Sequence, residues 1–184
     1  TTYEFRKKFG EQLALEDNIK ADLVVPVPDS GNAAALGYSQ KTKINFDLGL
    51  IRNHYVGRTF IEPSQNIRSL GVKLKLSPTK SIVKNKSIIL IDDSLVRGTT
   101  CLKIVKMLYE AGAKEVHVRI ACPEIKFPDF YGVDMPTRKE LLAFQKTNEE
   151  MCQYIKAKSL KFLSLGGLYE GLNKGKRNNT YPQF

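Results

Sequence analysis

The sequence is poor in the residues that build disulfide-rich and metal-finger proteins. Its 184 residues include no tryptophan, two histidines and three cysteines. Cys101, Cys122 and Cys152 are odd in number and lack the paired spacing of a zinc finger, so neither a disulfide framework nor a finger is expected. His54 and His117 have no suitable partner nearby in the sequence, and we expect neither to be a catalytic base.

Long apolar runs and leader patterns are also missing. No stretch approaches the roughly 20 apolar residues that a helix needs to cross a bilayer, and no signal-peptide pattern is present. With the free cysteines, these absences predict a cytoplasmic protein without a membrane partner.

Basic residues outnumber acidic ones, 29 to 19, for a formal net charge of +10. The basic residues are spread along the chain, with no arginine-rich arm and no aromatic-interleaved RNA motif. We therefore expect no nucleic acid partner. A small polyanionic substrate accounts for part of the excess charge, and solubility accounts for the rest.

Short apolar runs alternate with helical stripes, which predicts an α/β fold with a doubly wound, mainly parallel sheet. Residues 1–172 are expected to form one domain and 173–184 a polar tail. The predicted strands lie at Leu23–Val27, Ile88–Ile91, Glu115–Ala121 and Leu160–Leu163. The predicted helices lie at Tyr3–Asp17, Asn32–Gln40, Thr100–Gly112, Arg138–Lys158 with Thr137 as its cap, and Leu165–Leu172 with Ser164 as its cap.

The segment Ser87–Thr100 carries the strongest chemical signal. A buried strand ends in Asp92 and Asp93, and a turn containing Gly98 then leads into a helix. The amides of a helix N-terminus favour a phosphate, and paired carboxylates accept hydrogen bonds from hydroxyls or bind a hard cation. A sugar phosphate satisfies both ends. The alternative is a βα turn in which the two aspartates only cap the helix.

Asp29, Ser30 and Gly31 repeat this arrangement after the first strand. Alone the turn is a weak signal, because Asp-Ser-Gly is common in surface turns. Its position after a strand and before a helix predicts a second anion-binding turn at the same edge of the sheet.

Ile88–Thr100 resembles the signature of type I phosphoribosyltransferases, whose ligand is phosphoribosyl pyrophosphate (PRPP). The resemblance implies a PRPP and Mg²⁺ site. Its PRPP-binding residues would be Asp92, Asp93, Ser94, Arg97, Gly98, Thr99, Thr100, Asp29, Ser30 and Gly31, and its metal contacts would be Ser30, Asp92 and Asp93.

The run Asn53–Ile61 narrows the resemblance to glutamine-dependent amidophosphoribosyltransferases. Residues 62–81 lack clean periodicity and predict a flexible lid. The resemblance implies that Arg58 and Lys75 are drawn onto PRPP, with Gly57 at a further matching position, and that Tyr55 and Ile61 line a path for ammonia. The implied reaction displaces pyrophosphate from PRPP with ammonia to give 5-phosphoribosylamine, the first step of purine nucleotide synthesis.

The same resemblance implies purine nucleotide inhibitors, a homo-oligomer and a preceding glutaminase domain. No cysteine lies near Thr1 to serve as the glutaminase nucleophile, so we expect that domain to be absent from this chain. Some members of the family carry an iron–sulfur cluster, and one of its ligands matches Cys122. The other ligands would come from outside Thr1–Phe184, which leaves Cys122 open between a cluster ligand and a small buried cysteine.

Two other functions remain compatible with the sequence. One is a phosphoribosyltransferase that acts on a nucleobase. The other is a regulator that binds PRPP or nucleotides without turnover and controls nucleic acid, for which the net charge of +10 is the support.

Overall fold

The computed structural model describes residues 1–53, 76–128 and 137–172. Its helices are α1 (Thr2–Leu15), α2 (Asn32–Thr42), α3 (Lys80–Val83), α4 (Thr99–Glu110), α5 (Leu142–Gln145), α6 (Asn148–Tyr154) and α7 (Leu165–Gly171), with a 3₁₀ turn at Arg138–Glu140. Its strands are β1 (Leu23–Pro26), β2 (Leu50–Arg52), β3 (Leu76–Pro78), β4 (Ser87–Asp92), β5 (Glu115–Ile120) and β6 (Ser159–Phe162).

Four strands form a parallel sheet in the order β1-β4-β5-β6, and β2 pairs with β3 in a separate antiparallel ribbon. Alternate residues of the sheet enter two apolar clusters, as the two-residue period of a strand requires. Ile88 and Leu90 join the cluster under α4 and α6, whereas Ile89 and Ile91 join the cluster under α1 and α2. The predicted α/β fold is confirmed.

The strands and helices predicted up to Ala121 lie within about two residues of the predicted positions. The helix Thr2–Leu15 begins with a capping box between Thr1 and Glu4, and Ser164 caps α7 as predicted by accepting a hydrogen bond from the Gly167 amide at 2.9 Å. Within the described residues, no helix is long and apolar enough to cross a membrane.

The single helix predicted over Arg138–Lys158 is wrong. The segment forms the 3₁₀ turn, α5 and α6, because Leu141 and Lys146 adopt extended backbone conformations between them. Leu141 is fully buried, and the Leu142 amide donates to the Val96 oxygen at 2.9 Å, so packing against a distant loop overrides helical propensity. Thr137 is the N-cap residue of the 3₁₀ turn, but it forms no side-chain cap, since its hydroxyl donates to the Glu140 carboxylate at 3.4 Å instead.

The lid predicted over 62–81 is described only at 76–81. Those residues form β3 and the start of α3, and Leu76 is buried. Strand β3 was missed because it is three residues long and depends on pairing with β2, which lies more than twenty residues away in the sequence. Residues 54–75 and the predicted tail 173–184 lie outside the described residues.

Candidate active site

Two polar turns meet at the carboxyl end of the parallel sheet. Strands β1 and β4 are neighbours, and the Val27 amide donates to the Ile91 oxygen at 2.8 Å where the strands end. The Ser30 hydroxyl then donates to Asp92 Oδ1 at 3.4 Å. The Ser30–Asp92 hydrogen bond joins the two turns that the sequence marked separately.

The first turn brings Gly31 close to the backbone of β4. A Cβ at Gly31 would clash with the Ile91 oxygen and would lie 2.9 Å from the Val27 oxygen. Gly31 is the N-cap of α2 and provides no side-chain cap. The Asn32 amide donates to the Asp29 oxygen at 3.3 Å, and the next two amides of the helix are left for another acceptor. The absence of a side chain therefore serves both the packing and the anion-binding capacity of this turn.

Asp29 is directed away from the cleft between the turns. Its Oδ2 lies 2.6 Å from Nη1 of Arg52, the last residue of β2. The Pro28–Asp29 peptide bond is cis. Asp29 thus connects the first turn to the ribbon formed by β2 and β3.

The paired carboxylates follow β4. Asp92 Oδ1 accepts a hydrogen bond from the Asp93 amide at 2.9 Å, and the Ser94 hydroxyl donates to Asp93 Oδ1 at 3.4 Å. Burial, reinforced by the nearby negative charge of Asp93, raises the pKa of Asp92 well above its usual range. A hydroxyl donor or a cation placed beside Asp92 would relieve that penalty.

The opposite end of the cleft is a helix N-terminus. Gly98 has a φ of 74°, in the left-handed region that glycine adopts without strain, and α4 begins at Thr99 with no side-chain cap. The first amides of α4 have no partner within the helix, and the helix dipole adds positive potential there. This end of the cleft is suited to a phosphate.

The cleft between these ends has a volume of about 320 Å³. Its lining contains most of the predicted binding residues, namely Ser30, Asp92, Asp93, Ser94, Arg97, Gly98, Thr99 and Thr100. Asp29 and Gly31 are not part of the lining, because one pairs with Arg52 and the other is buried under the turn. The remaining predicted residues, Tyr55, Gly57, Arg58, Ile61 and Lys75, lie outside the described part of the chain.

Sequence reasoning missed the residues that support the cleft from a distance. Arg97 pairs with Glu140, whose carboxylate lies 2.9 Å from Nε, and Leu142 contacts the backbone of Val96. Asn32 was also overlooked, although its side-chain oxygen is buried beside the first turn without a hydrogen-bond partner among the described residues. In the sequence, the one local signal for Glu140 was its position three residues after Thr137. That position is typical of an acidic residue in the first turn of a helix, so the pattern did not indicate a contact with the cleft.

The oxygen donors of the cleft fit Mg²⁺. Ser30 and Asp92 are in contact, Asp93 is adjacent, and Mg²⁺ is commonly bound by one or two carboxylates together with substrate phosphates. The described residues include no group of three or more His, Cys, Asp or Glu side chains arranged around a metal position. A cation at this cleft would therefore share its coordination with the substrate.

Cys122 does not fit a metal cluster within the described residues. It is a free thiol that packs against the apolar core, and burial together with the charges of Asp93 and Asp92 raises the pKa of Cys122 to about 12. Cys101 and Cys152 are likewise free.

Comparisons with known proteins agree with this arrangement. The phosphoribosyl transferase domain family matches residues 7–126. An amidophosphoribosyltransferase of Rhizobium etli is 56% identical over 183 residues, which are 99% of this chain and 37% of that protein. Its counterpart in Methanocaldococcus jannaschii is 52% identical over 174 residues, 95% of this chain and 37% of that protein.

A solved structure extends the likeness to the fold. Glutamine PRPP amidotransferase from B. subtilis, complexed with ADP and GMP, superposes with a TM-score of 0.86 at 48% identity, covering 97% of this chain and 39% of that one. The chain thus spans well under half of each of these proteins. The resemblance inferred from the motifs is confirmed, and the chain belongs to the phosphoribosyl transferase domain family.

Proposed function

We propose that the chain is the phosphoribosyltransferase part of an amidophosphoribosyltransferase, a glycosyltransferase that displaces pyrophosphate from C1 of PRPP with ammonia. The product is 5-phosphoribosylamine, the first intermediate of purine nucleotide synthesis. The observation that carries the proposal is the Ser30–Asp92 contact, which joins an anion-binding turn to a carboxylate pair and a helix N-terminus in one cleft. PRPP needs these three features together.

Each part of the cleft matches one part of PRPP. The amides from Arg97 to Thr100 would hold the 5-phosphate, Asp92 and Asp93 would accept hydrogen bonds from the ribose hydroxyls, and the turn Asp29–Gly31 would hold the pyrophosphate. Ser30 and the two aspartates would hold Mg²⁺, which would neutralise charge on the leaving group.

The chain's own contribution is to position the ribose and to stabilise charge. Departure of pyrophosphate leaves positive charge on the ribose ring, as in other glycosyl transfers. Asp92 and Asp93 line the cleft, and with PRPP bound as proposed their carboxylates would lie beside the ribose where that charge develops. Ammonia needs little activation. Orientation and exclusion of water therefore account for most of the expected acceleration.

The lid, the ammonia path and the partners stay predictions. Arg58, Lys75, Tyr55 and Ile61 belong to the segment between β2 and β3, and the Arg52–Asp29 ion pair joins the base of that ribbon to the pyrophosphate turn. Purine nucleotide inhibition is supported by the ADP and GMP bound to the B. subtilis enzyme. The preceding glutaminase domain and the homo-oligomer are predictions from the family resemblance, and the cytoplasmic location is a prediction from the composition of the sequence.

The test is Mg²⁺-dependent PRPP binding measured by calorimetry. The Asp92→Asn, Asp93→Asn double variant should lose at least tenfold in affinity, since two charge-assisted contacts are removed. A Glu110→Gln, Glu170→Gln variant makes the same charge change at exposed positions outside the cleft lining and should bind like the unaltered chain. Equal affinity in all three proteins would refute the assignment.

The acceptor is tested by pyrophosphate release. We expect release from PRPP with ammonia, none that depends on a nucleobase, and no glutamate formation from glutamine. Release that requires a nucleobase would identify a nucleobase phosphoribosyltransferase instead. Binding without turnover, together with salt-sensitive nucleic acid binding, would identify a regulator.

A further inference from the structure

Arg97 is the one basic side chain that lines the described part of the cleft. It lies beside Gly98, at the end suited to a phosphate, and its side chain is 47% exposed. A flexible arginine on a turn loses conformational freedom when it binds an anion. Anything that holds the guanidinium beforehand reduces that loss.

Glu140 holds Arg97 by one edge. Nε of Arg97 donates to Glu140 Oε2 at 2.9 Å, and no other acceptor for Arg97 is found among the described residues. A guanidinium has five N–H donors in a fixed fork, so a bond at Nε leaves the Nη groups for a second acceptor. A phosphate is the acceptor that this fork matches.

Glu140 and the short segment that carries it are held in place by several contacts. The Thr137 hydroxyl donates to Glu140 Oε1 at 3.4 Å, and the Leu142 amide two residues later donates to the Val96 oxygen at 2.9 Å. The guanidinium of Arg138 lies 4.6 Å from the ring centre of Phe127 and 4.3 Å from that of Phe144. The 3₁₀ turn is therefore fixed against the cleft loop.

We propose that Glu140 is a positioning residue that orients Arg97 toward the 5-phosphate of the substrate. The inference rests on the proposed function and adds a residue from a different segment to the phosphate site. It also predicts whether removing the negative charge of Glu140 strengthens or weakens anion binding. If Glu140 acted only through its negative charge, removing it would strengthen anion binding, whereas loss of a positioning contact weakens it.

The test compares affinities of the chain for ribose 5-phosphate, PRPP and pyrophosphate. Glu140→Ala should weaken ribose 5-phosphate and PRPP about fivefold, the upper range for an exposed ion pair, and leave pyrophosphate unchanged. Glu140→Gln should weaken them less, because its amide oxygen still accepts from Nε. In the ammonia reaction, the KM for PRPP should rise while kcat stays the same.

Two controls separate positioning from other effects. Glu110→Gln removes the exposed partner of Lys106 on α4, with the same charge change, and should leave all three affinities unaltered. In an Arg97→Gln background, Glu140→Ala should cause no further loss. Tighter or unchanged ribose 5-phosphate binding by Glu140→Ala, or an equal loss in the Arg97→Gln background, would overturn the inference.

The outcome also distinguishes this inference from the proposed function. If the unaltered chain binds ribose 5-phosphate but not PRPP, the proposed function fails and the Glu140 comparison can still be made. If it binds neither, both fail. If PRPP binds and Glu140→Ala is neutral, the proposed function stands and the role of Glu140 is refuted.

Discussion

Two arginine–carboxylate pairs in this chain have the same chemistry and opposite surroundings. Arg119 and Asp17 have side chains that are 4% and 5% exposed, between β5 and the residues after α1. Arg97 and Glu140, at the cleft, are 47% and 49% exposed. Burial therefore decides how much each pair contributes to stability. Water screens the charges of the exposed pair, whereas the buried charges are stabilised only by each other and by neighbouring hydrogen-bonding groups.

The buried pair belongs to a larger network. Arg119 also donates to the Ser159 hydroxyl at 2.9 Å and the Val118 oxygen at 2.9 Å, and the Tyr38 hydroxyl donates to Asp17 at 2.7 Å. All of these partners belong to the secondary structure elements or directly follow them, so the network links the end of α1, α2 and the sheet. The exposed pair has fewer partners and a free edge, which suits a contact that must accept a ligand.

The largest effect that separates the pairs is expected from Asp17→Asn. The variant leaves the Arg119 charge buried without its counter-ion and should lower the free energy of unfolding by about 3–5 kcal/mol. Urea denaturation measures the loss. Glu110→Gln removes an exposed pair of similar chemistry and should change stability by less than about 1 kcal/mol. Similar losses in both variants would contradict the distinction between the pairs.

The Gly98→Ala variant tests whether the backbone conformation at the cleft contributes more to the free energy of unfolding than the exposed Arg97–Glu140 pair does. A side chain at φ 74° costs about 1–2 kcal/mol, and the new Cβ would lie 2.6 Å from a methyl carbon of Leu142. We expect a loss of about 2 kcal/mol or more in urea denaturation. Gly166→Ala is the matched control, since its Cβ meets only the Ser164 hydroxyl at 3.6 Å, and it should be tolerated. Equal losses in the two variants would refute the interpretation.

The pH dependence of stability tests the buried pair in another way. Burial alone would raise the pKa of Asp17, but hydrogen bonds from Arg119 and Tyr38 outweigh it and hold that pKa below its usual 3.8. A carboxyl group whose pKa is lower in the folded state stabilises the protein at pH values above its unfolded-state pKa. This stabilisation is lost as the pH falls through the folded-state pKa. The stability gap between the unaltered chain and Asp17→Asn should therefore narrow below about pH 5. A gap that stays constant from neutral pH to pH 3 would show that Asp17 does not titrate with a lowered pKa.

The smallest effect is expected from Glu140→Gln on stability. Because both partners are half exposed, the free energy of unfolding should change by less than about 1 kcal/mol. Thermal and urea unfolding of this variant should match the unaltered chain even where substrate affinity falls. A loss as large as that of Asp17→Asn would show that Glu140 serves the fold rather than the cleft.

The sequence predicted the residues that line the cleft better than it predicted those that support the cleft. Asp92, Asp93 and Gly98 were recognised because a strand, a polar turn and a helix follow one another within fourteen residues. The division of the segment after Thr137 was missed, although Thr147 and Glu150 form a capping box whose spacing is visible in the sequence. Strand β3 and the position of Leu141 depend on packing partners that local patterns do not contain.

By itself, the sequence determined the parallel α/β order and the chemistry of the two turns, because strand period, helix period and turn residues are local properties. The tertiary structure alone decided which distant residues support them. Glu140 lies 43 residues from Arg97, and Asp17 lies 102 residues from Arg119. The tertiary fold brings each pair together, and burial in that fold distinguishes the exposed pair at the cleft from the pair that holds the core.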